Sequence, residues 1–189
     1  MKSGTKVLLA LIIIIGIIAF PVIGGYNSLV NLEQNVDVAE SNIQTQLQRR
    51  MDLIPNLVNT VKGYASQEKE IFTNIADARS KLAGATNLTE QAAADGELSN
   101  ALSRLLLIVE RYPDLKSNQN FQDLSIQLEG TENRIAIARQ DYNTAVTQYN
   151  TKRRRFPSNI VASIFGFEER PLYQASAGAE QAPSVDFTS

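Results

Sequence analysis

The chain has 189 residues, and with its first 25 set aside it still carries about one domain's worth of sequence, enough to bury a core. A formal charge of −2 argues against general nucleic-acid binding. The absence of Cys and His removes a lipoprotein anchor, thiol nucleophiles, thiolate zinc sites and imidazole general bases.

The first element is the run VLLALIIIIGIIAFPVIGG, Val7 to Gly25, which carries no charge and lies between Lys2/Lys6 and a polar stretch whose first charge is Glu33. A helix crosses the hydrocarbon core with roughly 20 apolar residues. Residues 1–25 are therefore expected to be a single transmembrane anchor, with Val7, Leu11, Ile15, Phe20 and Gly25 in the span. The competing reading is a cleaved signal, but such apolar regions run about 7–15 residues and end in an A-x-A-like site. This run is longer and offers only Val22-Ile23-Gly24.

Residues 26–156 read as four helices. In the first, Tyr26 to Gln48, Leu29, Leu32, Val36, Ala39 and Ile43 alternate spacings of three and four, the seam of a packed helix. A break is expected at Arg49-Arg50-Met51-Asp52, with Asp52 as N-cap and Pro55 in the first turn of the next helix. One long helix kinked at Pro55 is the alternative. The second helix is expected to reach Ala83 on a seam of Leu57, Val61, Tyr64, Glu68, Ile71, Ile75, Ala78 and Leu82. Gly84 to Gly96 is small and polar, a loop shading into a helix start with Thr89 as a candidate N-cap.

The third helix carries Leu98, Leu102, Leu105, Val109 and Tyr112, and Pro113 ends it. The fourth runs from Asn118 to Arg154 on Phe121, Leu124, Leu128, Thr131, Ile135, Ala138, Tyr142, Ala145 and Tyr149. Gly130 inside it suggests the close approach of a neighbour. No useful stretch alternates with period two. The fold expected is all-α: the N-terminal transmembrane helix, then an antiparallel up-down-up-down four-helix bundle.

Three stretches resemble the LemA family. They are Gln46-Leu47-Gln48-Arg49-Arg50-Met51-Asp52-Leu53-Ile54-Pro55-Asn56-Leu57-Val58 with Val61-Lys62-Gly63-Tyr64-Ala65; Glu110-Arg111-Tyr112-Pro113-Asp114-Leu115-Lys116 with Asn120-Phe121; and Glu129-Gly130-Thr131-Glu132-Asn133-Arg134-Ile135-Ala136-Ile137-Ala138-Arg139 with Tyr142-Asn143. The resemblance extends from Met1 to about Tyr173 and departs at Ser66-Gln67-Glu68 and Leu172-Tyr173. It implies a bacterial, membrane-anchored helical bundle that organises membranes or complexes, and it carries no settled biochemical activity.

Chemistry is sparse. Di-iron bundles need Glu-x-x-His pairs, which a chain without His cannot supply. An all-carboxylate Mg²⁺ or Ca²⁺ site from Glu68, Glu110, Glu129 and Glu132 is the enzymatic or ligand-binding alternative. No phosphate loop or nucleophile elbow stands out, so no catalytic residue, cofactor or metal is assigned. Arg49, Arg50 and Asp52, placed in the first turn, are expected to share an end with the Tyr112–Asn118 connection, with Arg49 or Arg50 pairing with Glu110 or Asp114 or binding the carbonyls that end the first helix. With Glu132 and Arg134 they form either a register-fixing cluster or a partner-binding patch.

In an up-down bundle the fourth helix returns to the membrane. There Lys152, Arg153, Arg154 and Arg155 precede the short apolar segment of residues 157–173, whose Ile160 and Phe165 suit an interfacial contact with anionic lipid. Cations that favour a helix C-terminus and an apolar lid on the bundle are the equal alternative. The length of the second helix, about 48 Å against about 35 Å for the first, calls for a kink or swivel at Pro21 or Gly24-Gly25.

Lys2 and Lys6 before the span, with no Lys or Arg after it until Arg49, place the N-terminus inside and the bundle outside a cell membrane. Descriptions of the LemA family place the N-terminus outside instead. The tail, residues 174–189, is small, polar and expected to be disordered. The function expected is a non-enzymatic scaffold or adaptor that recruits partner proteins at the membrane, or one that shapes the membrane directly. Its partners are lipid through the N-terminal helix and unidentified proteins, with a homo-oligomer open and no nucleic acid.

Overall fold

The computed structural model describes residues 3–174, so all of the tail expected to be disordered except Gln174 lies outside the described residues. So do several side chains near the start of the chain, Val7 and Ile15 of the expected span among them. The described residues form α1 (Ser3–Lys62), α2 (Lys69–Gly84), α3 (Leu88–Val109), α4 (Pro113–Lys116), α5 (Gln119–Arg154) and α6 (Ser158–Phe165), with no strand among them. The all-α expectation holds. Among the described residues no helix is long and apolar enough to cross a membrane.

Several helix boundaries differ from the sequence reading; the third helix, for one, ends at Val109, and Pro113 opens the short α4. α1 runs unbroken through Arg49–Asp52 and through Pro21 and Gly24-Gly25, so the expected turn is absent and no break interrupts the helix where the kink or swivel was expected. Proline removes the donor to the carbonyl four residues earlier, which for Pro55 is that of Met51. Arg79 Nε donates to the Met51 carbonyl at 3.0 Å, and this replacement bond lets the helix pass Pro55. The first interhelical turn falls instead at Gly63–Glu68, where the amides of Tyr64 and Ala65 donate to the Val61 carbonyl. α2 is consequently 16 residues long, shorter than the expected second helix.

α3 starts earlier than expected because Asn87, rather than Thr89, is its N-cap. The Asn87 side chain accepts from the Glu90 amide. Glu90 reaches back to accept from the amide and hydroxyl of Thr86, a reciprocal cap that holds its carboxyl below the usual range. Gly130 has nothing within 4 Å of where a Cβ would stand, so the expected close packing there is not found.

The chain divides into two compact units. One comprises Ile43–Ile137 with the chain from Tyr173. Its core contains Ile43, Leu57, Ile75, Leu98, Leu105 and Ile135, each at most 1 % exposed and each contributing about 1.5–3 kcal/mol by burial. The other comprises Met1–Asn42 and Ala138–Leu172. Leu29 and Val36 of α1 meet burial there alongside Tyr142, Val146 and Tyr149 of α5. The three-four spacing identified nearly all of these positions.

Candidate functional site

In the unit Ile43–Ile137, the polar feature that matters is Arg50. It occupies a seam position of α1 between buried Leu47 and Ile54, at 4 % exposure. Its Nη1 lies 2.8 Å from Asp95 Oδ1 of α3, which is 1 % exposed, and its Nη2 donates to Ser99 Oγ at 3.0 Å. Glu132 Oε2 of α5 lies 2.7 Å from the same Nη1. That contact is an ion pair without hydrogen-bond alignment, and Glu132 Oε2, Arg50 Nε and Ser125 Oγ are all buried without a hydrogen-bond partner among the described residues. A cavity of about 450 Å³ opens beside them, lined by Leu57, Leu102, Leu106 and Leu128 as well as by the polar groups.

The turn at Gly63–Glu68 and the Glu110–Asn118 connection are tied at one end of the same unit. Arg111 Nη2 donates to Glu68 Oε1 at 2.9 Å, and Asn118 Nδ2 donates to the Tyr64 hydroxyl at 3.1 Å. The connection is thus tied to the turn at Gly63–Glu68, through Glu68 and Tyr64, and not to Arg49 or Arg50, which lie within α1. Arg49, Asp114 and Arg134 are exposed. Asp52 accepts from Gln48 one turn back, and Glu110 pairs with Lys116 at 2.6 Å. Of the seven residues expected to cluster, the structure joins only Arg50 and Glu132. Glu68, Glu110 and Glu132 each face a cation, and no group of three or more carboxylates able to hold a metal occurs among the described residues.

In the unit Met1–Asn42 with Ala138–Leu172, α6 docks on α1 at Gly25. A Cβ there would meet Val161 Cγ2 at 3.3 Å, a close approach that only glycine accommodates without a shift. The Tyr26 ring meets Phe165 and Phe167 edge to face at 4.9 and 5.6 Å. α6 closes on Gly166 in the left-handed region (φ 75°), with the Phe167 amide donating to the Ala162 carbonyl. Val161 and Ala162 are buried, whereas Phe156, Ile160, Ile164 and Phe165 are exposed.

Residues 167–172 then run along α5 as a strap without secondary structure. Arg153 Nε donates to the Phe167 carbonyl, Tyr149 to that of Glu168 and Tyr142 to that of Pro171. Asn150 exchanges bonds with the backbone of Arg170 in both directions. The Arg170 guanidinium reaches Asp37 of α1 at 3.0 Å. Burial raises both tyrosine hydroxyls above their ordinary pKa, with Glu40 adding to the effect on Tyr142 and Glu33 to that on Tyr149. Within the basic cluster, Arg153 and Arg154 both pair with Glu169, while Arg155 is exposed and Lys152 half-buried.

The model of the LemA family matches residues 39–187 of this sequence, most of its length. The chain belongs to the LemA family. Among its relatives, Magnetosome protein MamQ 2 of Paramagnetospirillum magneticum is 29 % identical over 194 residues, covering 88 % of this chain and 71 % of the relative. Magnetosome protein MamQ of Magnetospirillum gryphiswaldense is 28 % identical, covering 89 % and 72 %. Protein LemA of Metamycoplasma hominis is 28 % identical over 170 residues, covering 89 % and 78 %.

The three stretches that carry the LemA resemblance acquire physical roles. The first supplies Arg50 and the Met51 carbonyl that Arg79 caps. The second forms the connection tied to Glu68, and the third supplies Glu132. Asp95 lies in none of them, and sequence reasoning missed it. The available signal was its place three residues before Leu98, on the same seam.

Proposed function

We propose that this LemA-family chain is a non-enzymatic scaffold, held at a membrane by the first part of α1 as a single span and recruiting partner proteins through its helical units, packed as antiparallel bundles. The observation that carries the reading is the exposure of Leu8, Leu9, Leu11, Ile12, Ile13, Ile17, Phe20 and Ile23 on one continuous helix. An apolar surface of that extent is normally covered by lipid or protein. α6, docked at Gly25 where this surface ends, presents Ile160, Ile164 and Phe165 as an interfacial foot, and Lys152 and Arg155 complete the lipid contact. The MamQ relatives are magnetosome proteins, which accords with work at a membrane. The positive-inside count favours an N-terminus inside and the bundle outside.

Alkaline carbonate extraction of cells tests the anchor. The full chain stays with the membrane pellet, and Ile13→Lys with Ile17→Lys releases it; release of the unmodified chain overturns the anchor. The foot is tested separately, because the chain has no Trp. Phe165→Trp in the full chain, reconstituted in lipid, is quenched by acyl-brominated phosphatidylcholine. Fluorescence unaffected by bromination removes α6 from the membrane surface.

A further inference from the structure

We propose that the cavity beside Arg50 binds a small neutral alkyl carbonyl compound, a medium-chain ketone or ester. The cavity, about 450 Å³, falls within the roughly 300–1,000 Å³ of small-molecule sites. Leu57, Leu102, Leu106 and Leu128 line it, so its body suits an alkyl chain. Two polar atoms on lining side chains are open. Arg50 is 4 % exposed, and its Nε is buried with no acceptor among the described residues. Ser125 Oγ is likewise buried without a hydrogen-bond partner. Nearly all buried polar atoms in proteins are paired. Two that are not, on side chains lining one cavity, mark a place for the polar group of a ligand.

The chemistry of these two atoms selects the head group. A guanidinium Nε–H only donates, so the group that meets it must accept. An ammonium has no lone pair and cannot do so. A carboxylate accepts, but Glu129 and Glu132 already line the cavity, and Glu132 lies 2.7 Å from Arg50 Nη1. A further anion beside them is disfavoured by like charge. A carbonyl accepts without charge, and its oxygen has two lone pairs, one for Arg50 Nε–H and one for the Ser125 hydroxyl. The bonds that Arg50 Nη1 and Nη2 make to Asp95 and Ser99 are left in place. The site lies within the unit Ile43–Ile137 and is independent of the membrane reading.

The test uses the full chain in phosphatidylcholine nanodiscs with leucine methyls labelled for NMR, and free probe is measured in the aqueous phase. Heptan-2-one is the probe; its control is 2-methylhept-1-ene, in which a methylene replaces the carbonyl oxygen. Heptan-2-one is expected to shift the Leu57 and Leu102 methyls saturably. Ser125→Ala weakens its binding about fivefold, the scale of one neutral hydrogen bond, and leaves that of the alkene unchanged. Ser125 Oγ has no partner among the described residues, so the substitution breaks none of their bonds to it. A ¹³C label at the carbonyl gives a reading that needs no variant. Held by two donors, the bound carbonyl resonates near its value in water, whereas in an unbonded apolar setting it moves upfield. An upfield bound carbonyl, equal effects of Ser125→Ala on ketone and alkene, tighter binding of heptanoate or of heptan-2-ylammonium, or no saturable shift at these methyls overturns the proposal.

Discussion

Arg50 is a charge placed where an apolar side chain would pack. Its pair with Asp95 is buried on both sides, at 5 % and 2 % side-chain exposure, so neither partner keeps water if the other is lost. Arg50→Met is expected to lower stability by about 3–5 kcal/mol, because it breaks a buried ion pair. Denaturant midpoints of this variant and of the unmodified chain decide it. Gly130 behaves in the opposite sense. It sits within α5 with open space where a Cβ would stand, so Gly130→Ala should raise stability by about 0.5–1 kcal/mol in the same assay. The seam residues could be read directly from spacing. Arg50 could not, because its partner Asp95 lies 45 positions away, and a charged pair beside Asp52 and Pro55 looks locally like a helix end.

At the scale of the element, α1 persists because a residue from another helix completes it. Arg79 of α2 supplies the bond to the Met51 carbonyl that Pro55 cannot make. Arg79→Met leaves that carbonyl without its partner, and a stability loss of about 1–3 kcal/mol is expected. Amide hydrogen exchange should report faster opening of α1 around residues 51–58 than elsewhere in the helix, and uniform exchange along α1 would contradict this account. Local signals named the helices and most of their faces. They misplaced the first turn because cap and proline chemistry are local, while the bond that overrides them joins residues 28 positions apart. The cap of α3 was nearly legible: Asn87 and Glu90 stand at capping-box spacing, but the sequence reading placed the cap at Thr89.

For the whole molecule, composition sets the response to pH. With no His or Cys, the chain lacks the side chains that ordinarily titrate between about pH 6 and 9. The alkaline limb is different. Tyr142 and Tyr149 have their pKa raised by burial above the ordinary value of 10.0, so the folded chain holds protons that the unfolded chain has released. Their contribution is complete below pH 10 and is lost as pH rises through the folded values. Denaturant midpoints between pH 8 and 11 should fall above pH 10, and Tyr142→Phe with Tyr149→Phe should flatten part of that fall. An identical slope in the double variant would exclude these hydroxyls as its source.

The strap has an evolutionary corollary. α5 grips it through carbonyls and an amide, which nearly every amino acid carries, so the letters of the strap are free to drift while the grip endures. Glu168, Pro171 and Leu172 can be exchanged without breaking a bond that α5 makes to their backbone. Tyr142, Tyr149, Asn150 and Arg153 have no such latitude, since each bond depends on the reach of one side chain. Arg170, which carries its own charge to Asp37, Glu169, which pairs with Arg153 and Arg154, and Phe167, whose ring meets Tyr26, are specified by their side chains as well. Selection on these backbone bonds therefore leaves its record chiefly in the helix.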